Sequence, residues 1–451
     1  MEEKNRIRSA FWKGAFAGAA AIAIAACLII AGVRGVSKSA QAPGFQSELG
    51  DENSGPGVAG DSEEKKDLDR ASIAEKIDML QYAIEEYFLF DEDMEKVENG
   101  IYKGMIAGLE DPYTEYYTPK EYAQLTEETE GVYCGIGVLV NQNVISRIIT
   151  VLRVFPGSPA EEAGMKKGDL IYKVGDLFAQ EQDLDVLVQQ HIRGEEGSYV
   201  DITVLRGQDE IPLRIQRRMV ETQTVEYELL EGNTGYIMVT QFELNTSLQF
   251  KNAIDDLTAK GMERLVIDLR DNPGGVVDAC VEMAAYILPE EPFDGTILTT
   301  SDKNGEGVRY YSKDGKLCFE TTDGNGTDSR YPKEDGHQVD VPIAILMNGQ
   351  SASASEVFAG ALKDYGSAKL VGTTSFGKGI VQSLLPLNDG SALKITVSHY
   401  YTPNGYDLHK KGLTPDVEVE QELDEELLGQ YDIPHDKDNQ LLKAIEVISG
   451  Q

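Results

Sequence analysis

Asn348-Gly-Gln-Ser-Ala-Ser-Ala-Ser-Glu356 and, further along, Gly372-Thr-Thr-Ser-Phe-Gly-Lys-Gly-Ile-Val-Gln382 are the segments on which the reading of this chain turns. An apolar run at 341–347 precedes the first and reads as a buried strand. Small residues follow it, then Glu356-Val357-Phe358-Ala359-Gly360-Ala361-Leu362, which predicts a helix. A second apolar step at Leu370-Val371 enters the glycine-flanked lysine, Gly377-Lys378-Gly379. The order is strand, serine-rich turn, helix, strand, lysine. A serine on a sharp strand-to-helix turn has backbone N–H groups beside it that can face a developing oxyanion.

Three serines compete for that position: Ser351, Ser353 and Ser355. Ser353 and Glu356 also have the S-x-x-E spacing of a capping box, an ordinary helix start. The two readings are compatible, because a capping position can carry a nucleophile. Gly372 to Lys378 fits G-x-x-x-x-G-K, but Gly379 stands where a phosphate-binding loop needs Ser or Thr for magnesium. The residues after it, Ile380-Val-Gln-Ser-Leu-Leu385, predict a strand where such a loop must open a helix. A nucleotide site is therefore rejected. On a strand, Lys378, Ile380 and Gln382 share one face, because side chains alternate with period two.

Segment S-A-S-A-S-E, with F-G-K-G-x-V-Q placing Lys378 25 residues beyond Ser353, resembles the carboxyl-terminal processing protease family. These are serine proteases with a Ser-Lys dyad and an embedded PDZ domain, and the resemblance runs from about Leu68 to the C-terminus. It implies that Ser353 is the nucleophile, Lys378 the general base and Gln382 the residue that positions the lysine. No cofactor and no metal are implied.

At 451 residues the chain has room for two or three domains. Its 41 Lys and Arg stand against 77 Asp and Glu, a net charge of −36, which argues against a nucleic-acid partner. Residues 14–33 are uncharged and rich in Ala and Ile, bounded by Lys13 and Arg34, long enough to span a bilayer as a helix. Lys4, Arg6, Arg8 and Lys13 precede the run, so the N-terminus is expected inside and the remainder outside. A cleaved signal peptide is the rival, and Ile24-Ala-Ala-Cys27 has the look of a lipoprotein box. Leu28-Ile-Ile30 carries the apolar run past Cys27, which favours an uncleaved anchor at 1–36. Residues 37–66, aperiodic and rich in Gly, Ser, Glu and Asp, predict a disordered linker.

A helical region is expected over 67–125. Ile73, Ile77, Leu80, Ile84 and Tyr87 make one stripe, and Val97, Ile101, Met105 and Leu109 a second. Packing on the protein's own core is the simpler reading of these stripes. In the resembled family this region helps form dimers, so a homodimer stays open. From 126 to 219 the texture changes to short alternating strands. Gly157-Ser-Pro-Ala-Glu-Glu-Ala-Gly-Met165 with Gly168-Asp169 resembles a PDZ domain, and Gly135, Ile136, Gly137 and Val138 match its carboxylate-binding loop. Glycines there expose N–H groups to a terminal carboxylate while the ligand adds a strand to the sheet edge. Residues 184–192 predict the helix flanking the groove. Arg193 matches an arginine that couples the PDZ domain to the protease in relatives; its simpler reading is a surface arginine at a helix C-terminus.

The protease core is placed at 220–425 and a helical tail at 426–451. Leu265-Val-Ile-Asp-Leu269 leads into Arg270-Asp-Asn-Pro-Gly-Gly275, a turn by composition. The resemblance makes it the oxyanion loop, with an N–H from Gly274 or Gly275 acting beside that of Ala354. Strands and helices alternate, an α/β pattern, and the family implies a crotonase-like core. Polar residues 301–337 predict a surface excursion. Of Cys27, Cys134, Cys280 and Cys318, most read as free thiols, with a Cys280–Cys318 bridge open. The five histidines form no H-E-x-x-H, although His399 falls within the core.

The leading expectation is a membrane-anchored endopeptidase, outside the cytoplasm, that recognises proteins or peptides by their free C-termini. The second is a non-catalytic PDZ adaptor with an inert protease-like fold, disfavoured because Ser353, Lys378 and Gln382 occur together. The third is a histidine-triad hydrolase, weakened by the lack of a G-x-S-x-G elbow.

Overall fold

The computed structural model describes residues 67–313, 316–321, 327–332, 339–423 and 433–450. The expected anchor and linker lie outside them. Among the described residues no helix is long and apolar enough to cross a membrane.

Two units are present, dividing between Leu109 and Glu110. The smaller one has two helices, Arg70–Tyr87 and Met94–Ala107, started by Asp69 and Asp93 side chains that accept the N–H groups of Ser72 and Lys96. Their apolar stripes are helical as the spacing predicts, but neither helix buries a residue. The expectation that the stripes form core is therefore not met.

The larger unit is built on a six-stranded sheet in the order Val225–Leu230, Thr234–Val239, Arg264–Asp268, Ile343–Met347, Ala368–Gly372, Val417–Glu418. From Thr234–Val239 onward the pairings are parallel. Such strands are covered on both faces and read as unbroken apolar runs, which is why Leu265-Val-Ile and Ile343-Ala-Ile-Leu-Met were legible. Period-two alternation divides them. Leu265, Ile267, Ile343, Ile345 and Leu370 face the main core with helices Thr246–Ala259, Val277–Ile287 and Ala354–Asp364. Val266, Ala344, Leu346 and Val371 face the other side, against Leu441, Ala444 and Ile448 of the C-terminal helix Asn439–Ser449. Arg270 ties that helix on, pairing with Asp268 and with Asp438, the helix's N-cap, at 2.5 and 2.7 Å.

A second sheet packs beside the first. Its longest strand, Ala392–Tyr401, is flanked by Ile380–Pro386 on one side and by Glu115–Tyr117 and Thr296–Asp302 on the other. Strands Val308–Lys313, Lys316–Thr321 and Thr327–Pro332 extend it. The polar stretch at 301–337 is thus not the simple surface excursion expected: Tyr310, Leu317 and Phe319 are buried in the main core. Cys280 and Cys318 are both reduced, so no bridge joins them.

Residues 132–221 form a smaller β domain with its own core, including Ile136, Ile149, Leu187, Ile202 and Ile215. Its sheet runs Val138–Gln142, Ile149–Val154, Leu170–Val174, Tyr199–Arg206, Asp209–Gln216, leaving Val138–Gln142 at the edge. The expected flanking helix is present as Leu184–Leu187 continued by a wider turn, Val188–Ile192, and stops at Arg193.

Candidate active site

Three neighbouring parallel strands, Arg264–Asp268, Ile343–Met347 and Ala368–Gly372, end on the same edge of the sheet. Loops 269–276, 348–353 and 373–379 leave from those ends, the usual position of a site in an open α/β sheet. Backbone bonds lace them together. Ala352 N–H donates to Asn272 O at 3.0 Å, Phe376 N–H to Ser351 O at 3.0 Å, and Thr373 N–H to Met347 O at 3.1 Å.

Ser353 is the N-cap of helix Ala354–Asp364, with φ 55° and ψ −116°. A non-glycine residue at positive φ is strained and persists only when its surroundings hold it. Here the helix behind it is buried at every position from Ala354 to Leu362. Phe358 anchors that helix against Phe242 and Phe250, with ring centroids 6.4 and 6.1 Å apart. Tyr400 donates its hydroxyl to Ser353 O at 3.0 Å. The turn is sharp, as the sequence predicts, but Ser353 is only 4% exposed.

The structure separates the three serines. Ser351 Oγ donates to Leu269 O at 2.8 Å and accepts the Asn348 N–H at 2.9 Å. Ser355 Oγ donates to Asn272 O at 3.0 Å. Both hydroxyls are spent on joining loops, whereas among the described residues no hydrogen bond ties the Ser353 hydroxyl to a neighbouring loop.

Glu356 does form the cap that S-x-x-E suggests, accepting the Ser353 N–H at 2.9 Å, and it does more. Its carboxylate also accepts the Ser375 hydroxyl in a short hydrogen bond, the Gly377 N–H at 2.7 Å and the Lys378 N–H at 2.9 Å. Burial pushes its pKa up, while these four donors hold it down.

Lys378 is 8% exposed. Burial first, and the Lys394 ammonium second, lower its pKa to about 8, against the pull of Glu356 and Asp111. It does not lie on a strand as expected. The strand starts at Ile380, and a bulge between Val381 and Gln382 interrupts the alternation. The loop before it is forced by two close approaches: a Cβ on Gly377, at φ +87°, would stand 2.9 Å from Gly412 N, and one on Gly379 2.7 Å from His409 N. Gln382 is buried on the strand. Its Nε2 donates to Thr396 Oγ1 at 3.3 Å, and its Oε1 has no hydrogen-bond partner among the described residues. No hydrogen bond joins it to Lys378 among the described residues.

Gly274 and Gly275 lie against the serine turn at φ +100° and +143°. A Cβ on Gly274 would come within 2.8 Å of Ser353 Cβ, and one on Gly275 within 2.0 Å of Phe242 O. Gly274 donates its N–H to Asn272 Oδ1 at 2.9 Å. Of the donors expected from sequence, Gly274 is therefore engaged within its own loop. The N–H groups of Gly275 and of Ala354, the first helical residue, have no acceptor among the described residues.

In the smaller β domain, Ile136 O and Gly137 O accept from Ala160 and Phe155 at 2.9 and 3.0 Å. The backbone N–H groups of Gly137 and Val138 face the Tyr133 side chain, at the edge of the sheet. Arg193 stacks on the Tyr133 ring at 4.5 Å and reaches Glu127 at 3.9 Å. Its Nε and Nη1 are buried without hydrogen bonds among the described residues, so it is no ordinary surface arginine. The same arginine draws down the pKa of Glu243, which burial raises to about 7. Glu243 follows Phe242, whose N–H and C=O bond Gly274 O and Val276 N at 3.0 and 2.7 Å.

Sequence reasoning missed Asn272, Tyr400 and the wider role of Glu356. Only Glu356 carried a signal, the S-x-x-E spacing, which stops at the cap. His399 is exposed and meets His409 edge-on with centroids 5.3 Å apart. Its neighbour Tyr400 points at Ser353, so His399 points away. Among the described residues no His, Cys, Asp or Glu cluster suits a metal ion.

Residues 233–419 match Peptidase family S41 and residues 132–216 match a PDZ domain. A Probable CtpA-like serine protease of Staphylococcus epidermidis RP62A is 33% identical over 360 residues, covering 79% of this chain and 68% of its own. One from Staphylococcus aureus MSSA476 is 34% identical over 354 residues, covering 78% of this chain and 66% of its own. A solved structure from Bacteroides fragilis NCTC 9343 assigned to the S41 proteases has a TM-score of 0.51 at 18% identity. That match covers 80% of this chain and 92% of the other, a likeness of fold.

Proposed function

Since the chain belongs to peptidase family S41, as a PDZ-containing serine protease of the carboxyl-terminal processing type, we propose that Ser353 is its nucleophile and Lys378 the base that activates it. One observation carries this reading: Glu356 accepts the backbone N–H of both residues, which sets them side by side in a buried site. In acylation Lys378 takes the Ser353 proton as Oγ attacks the peptide carbonyl. The oxyanion is stabilised by the N–H groups of Gly275 and Ala354. The resulting ammonium protonates the leaving amine. Water, deprotonated by the same lysine, then releases the acyl group. Gln382 Oε1, a buried acceptor lacking a donor, suits the task of holding the lysine amine.

The PDZ domain reads the substrate's free C-terminus at Gly135, Ile136, Gly137 and Val138, with the ligand strand added along Val138–Gln142. Arg193 transmits occupancy through Glu243 and Phe242 to the Gly274-Gly275 loop. The core is crotonase-like. Residues 14–33 anchor the chain with its catalytic part outside the cytoplasm, supported by the basic residues that precede the run. The exposed stripes of the two N-terminal helices, with Leu80 and Met105 58% and 64% exposed, favour a homodimer.

The test uses a peptide cleaved far from its C-terminus, as free acid and as amide. Cleavage is expected to need Ser353 and Lys378 and to weaken on amidation, at an unchanged scissile bond. Equal cutting of both forms sinks the carboxylate-reading role. Peptide binding without cleavage under any condition would favour the inert adaptor.

A further inference from the structure

Lys378 serves as a base only if its amine is kept from bulk water, and the residue lying over that amine comes from the start of the larger unit. The Tyr113 ring is centred 4.8 Å from Lys378 Nζ. Its turn is rigid. Asp111 accepts the Tyr113 N–H at 3.1 Å and the Thr114 hydroxyl at 2.6 Å. Thr114 Oγ1 accepts the Thr396 N–H at 3.1 Å, and Thr396 Oγ1 accepts from Gln382 at 3.3 Å. Immediately after, Glu115–Tyr117 pairs with Ala392–Tyr401, Glu115 opposite Lys394. Lys394 donates to Tyr117 OH and Glu115 Oε2 at 2.5 and 3.1 Å. One hydrogen-bonded frame therefore holds Tyr113, Gln382 and Lys394 around the lysine.

We propose that Tyr113 is a positioning residue for peptide hydrolysis: its ring walls the Lys378 amine off from water and confines it on the Ser353 side. This rests on the reading of Lys378 as the base. Two opposite effects of the ring must be weighed. An aromatic face favours an ammonium modestly, whereas burial displaces a lysine pKa by up to several units the other way. Lys378 ends low, with burial the largest cause, so exclusion of water prevails. The charges facing the amine are Lys394, which pushes it lower, and Glu356 and Asp111, which pull it up. Asp111 and Glu356 also face Tyr113, and with burial they raise its phenol. The hydroxyl stays protonated, and the ring is the acting part.

The experiment compares Tyr113→Phe and Tyr113→Ala in the full chain by steady-state cleavage across pH. Tyr113→Phe is expected to stay within about threefold of the parent with its pH limb unmoved. Tyr113→Ala is expected to move the limb up by about one unit, with a roughly tenfold lower kcat at neutral pH and little change in KM. If Tyr113→Ala is too inactive to follow, the pH dependence of Lys378 acylation by an amine-reactive activated ester in a Ser353→Ala background reports the same shift by mass spectrometry. An unmoved limb in Tyr113→Ala, or equal impairment by Tyr113→Phe, overturns the proposal. Lys378→Ala is run alongside: its full activity would remove the base itself, whereas its inactivity beside a normal Tyr113→Ala removes only the wall.

Discussion

Ser353 and Lys378 donate their backbone N–H groups to a single atom, Oε2 of Glu356, each at 2.9 Å. The two nitrogens therefore lie no further apart than twice that distance. The acceptor belongs to the first turn of a buried helix and has little freedom to move. The spacing of the proposed nucleophile and base is thereby set by one carboxylate, whose other oxygen holds Ser375 and Gly377.

Glu356→Gln keeps the shape but gives one side of the group hydrogens. That side then meets the N–H or O–H donors it used to satisfy, donor against donor. Bonds to a charged acceptor contribute about 1.5–3 kcal/mol each, so both stability and kcat are expected to fall, kcat by roughly a hundredfold. Kinetics beside thermal melts check this; a variant within threefold of the parent contradicts the role.

Ser353→Ala is expected to abolish cleavage with little loss of stability, since its hydroxyl ties no neighbouring loop to the helix. Ser351→Ala and Ser355→Ala strip buried hydrogen bonds and are expected to cost about 1–3 kcal/mol each while leaving measurable activity. An active Ser353→Ala enzyme would move the nucleophile elsewhere.

Lys378, with a pKa near 8, predicts activity that rises with pH through a single ionisation there, as the amine becomes neutral. Lys378→Arg is expected to be as inactive as Lys378→Ala, because guanidinium stays charged. Stability has its own sign. The folded pKa is below the unfolded one, so the buried ammonium costs stability below pH 8, and the cost fades between about 8 and 10.5. Lys378→Met is expected to stabilise the fold by on the order of 3 kcal/mol at pH 7 and progressively less toward pH 10. Melting curves at both pH values test it, and a pH-independent gain would contradict a depressed lysine.

Gly274→Ala drives a Cβ to 2.7 Å from Ala352 O at φ +100°. The serine turn must shift, and at least a hundredfold loss of kcat is expected with PDZ peptide affinity unchanged. A fully active Gly274→Ala would show that the loop tolerates displacement.

Arg193→Ala and Glu243→Gln each remove one member of the charge pair proposed to couple the PDZ domain to the protease core. Both are expected to bind a C-terminal peptide normally, by fluorescence titration, yet to lose the dependence of cleavage on a free carboxylate. Unchanged dependence in both variants would sever Arg193 from the coupling.

The sequence by itself determined the α/β core, the PDZ segment and the positions of Ser353 and Lys378. Its buried parallel strands are unbroken apolar runs, and its special turns need Gly or small residues at fixed offsets. Those signals are local, and the signals that failed required partners far along the chain. Only the tertiary structure separates the three serines, because Leu269 and Asn272 accept the hydroxyls of Ser351 and Ser355. Tertiary contacts also engaged the Gly274 N–H, drew Lys378 off the strand and placed Tyr310, Leu317 and Phe319 in the core. Glu356 shows the reason most directly. As a cap it is visible within four residues, but as the link to Lys378 it depends on two parallel strands lying side by side, which no local spacing encodes.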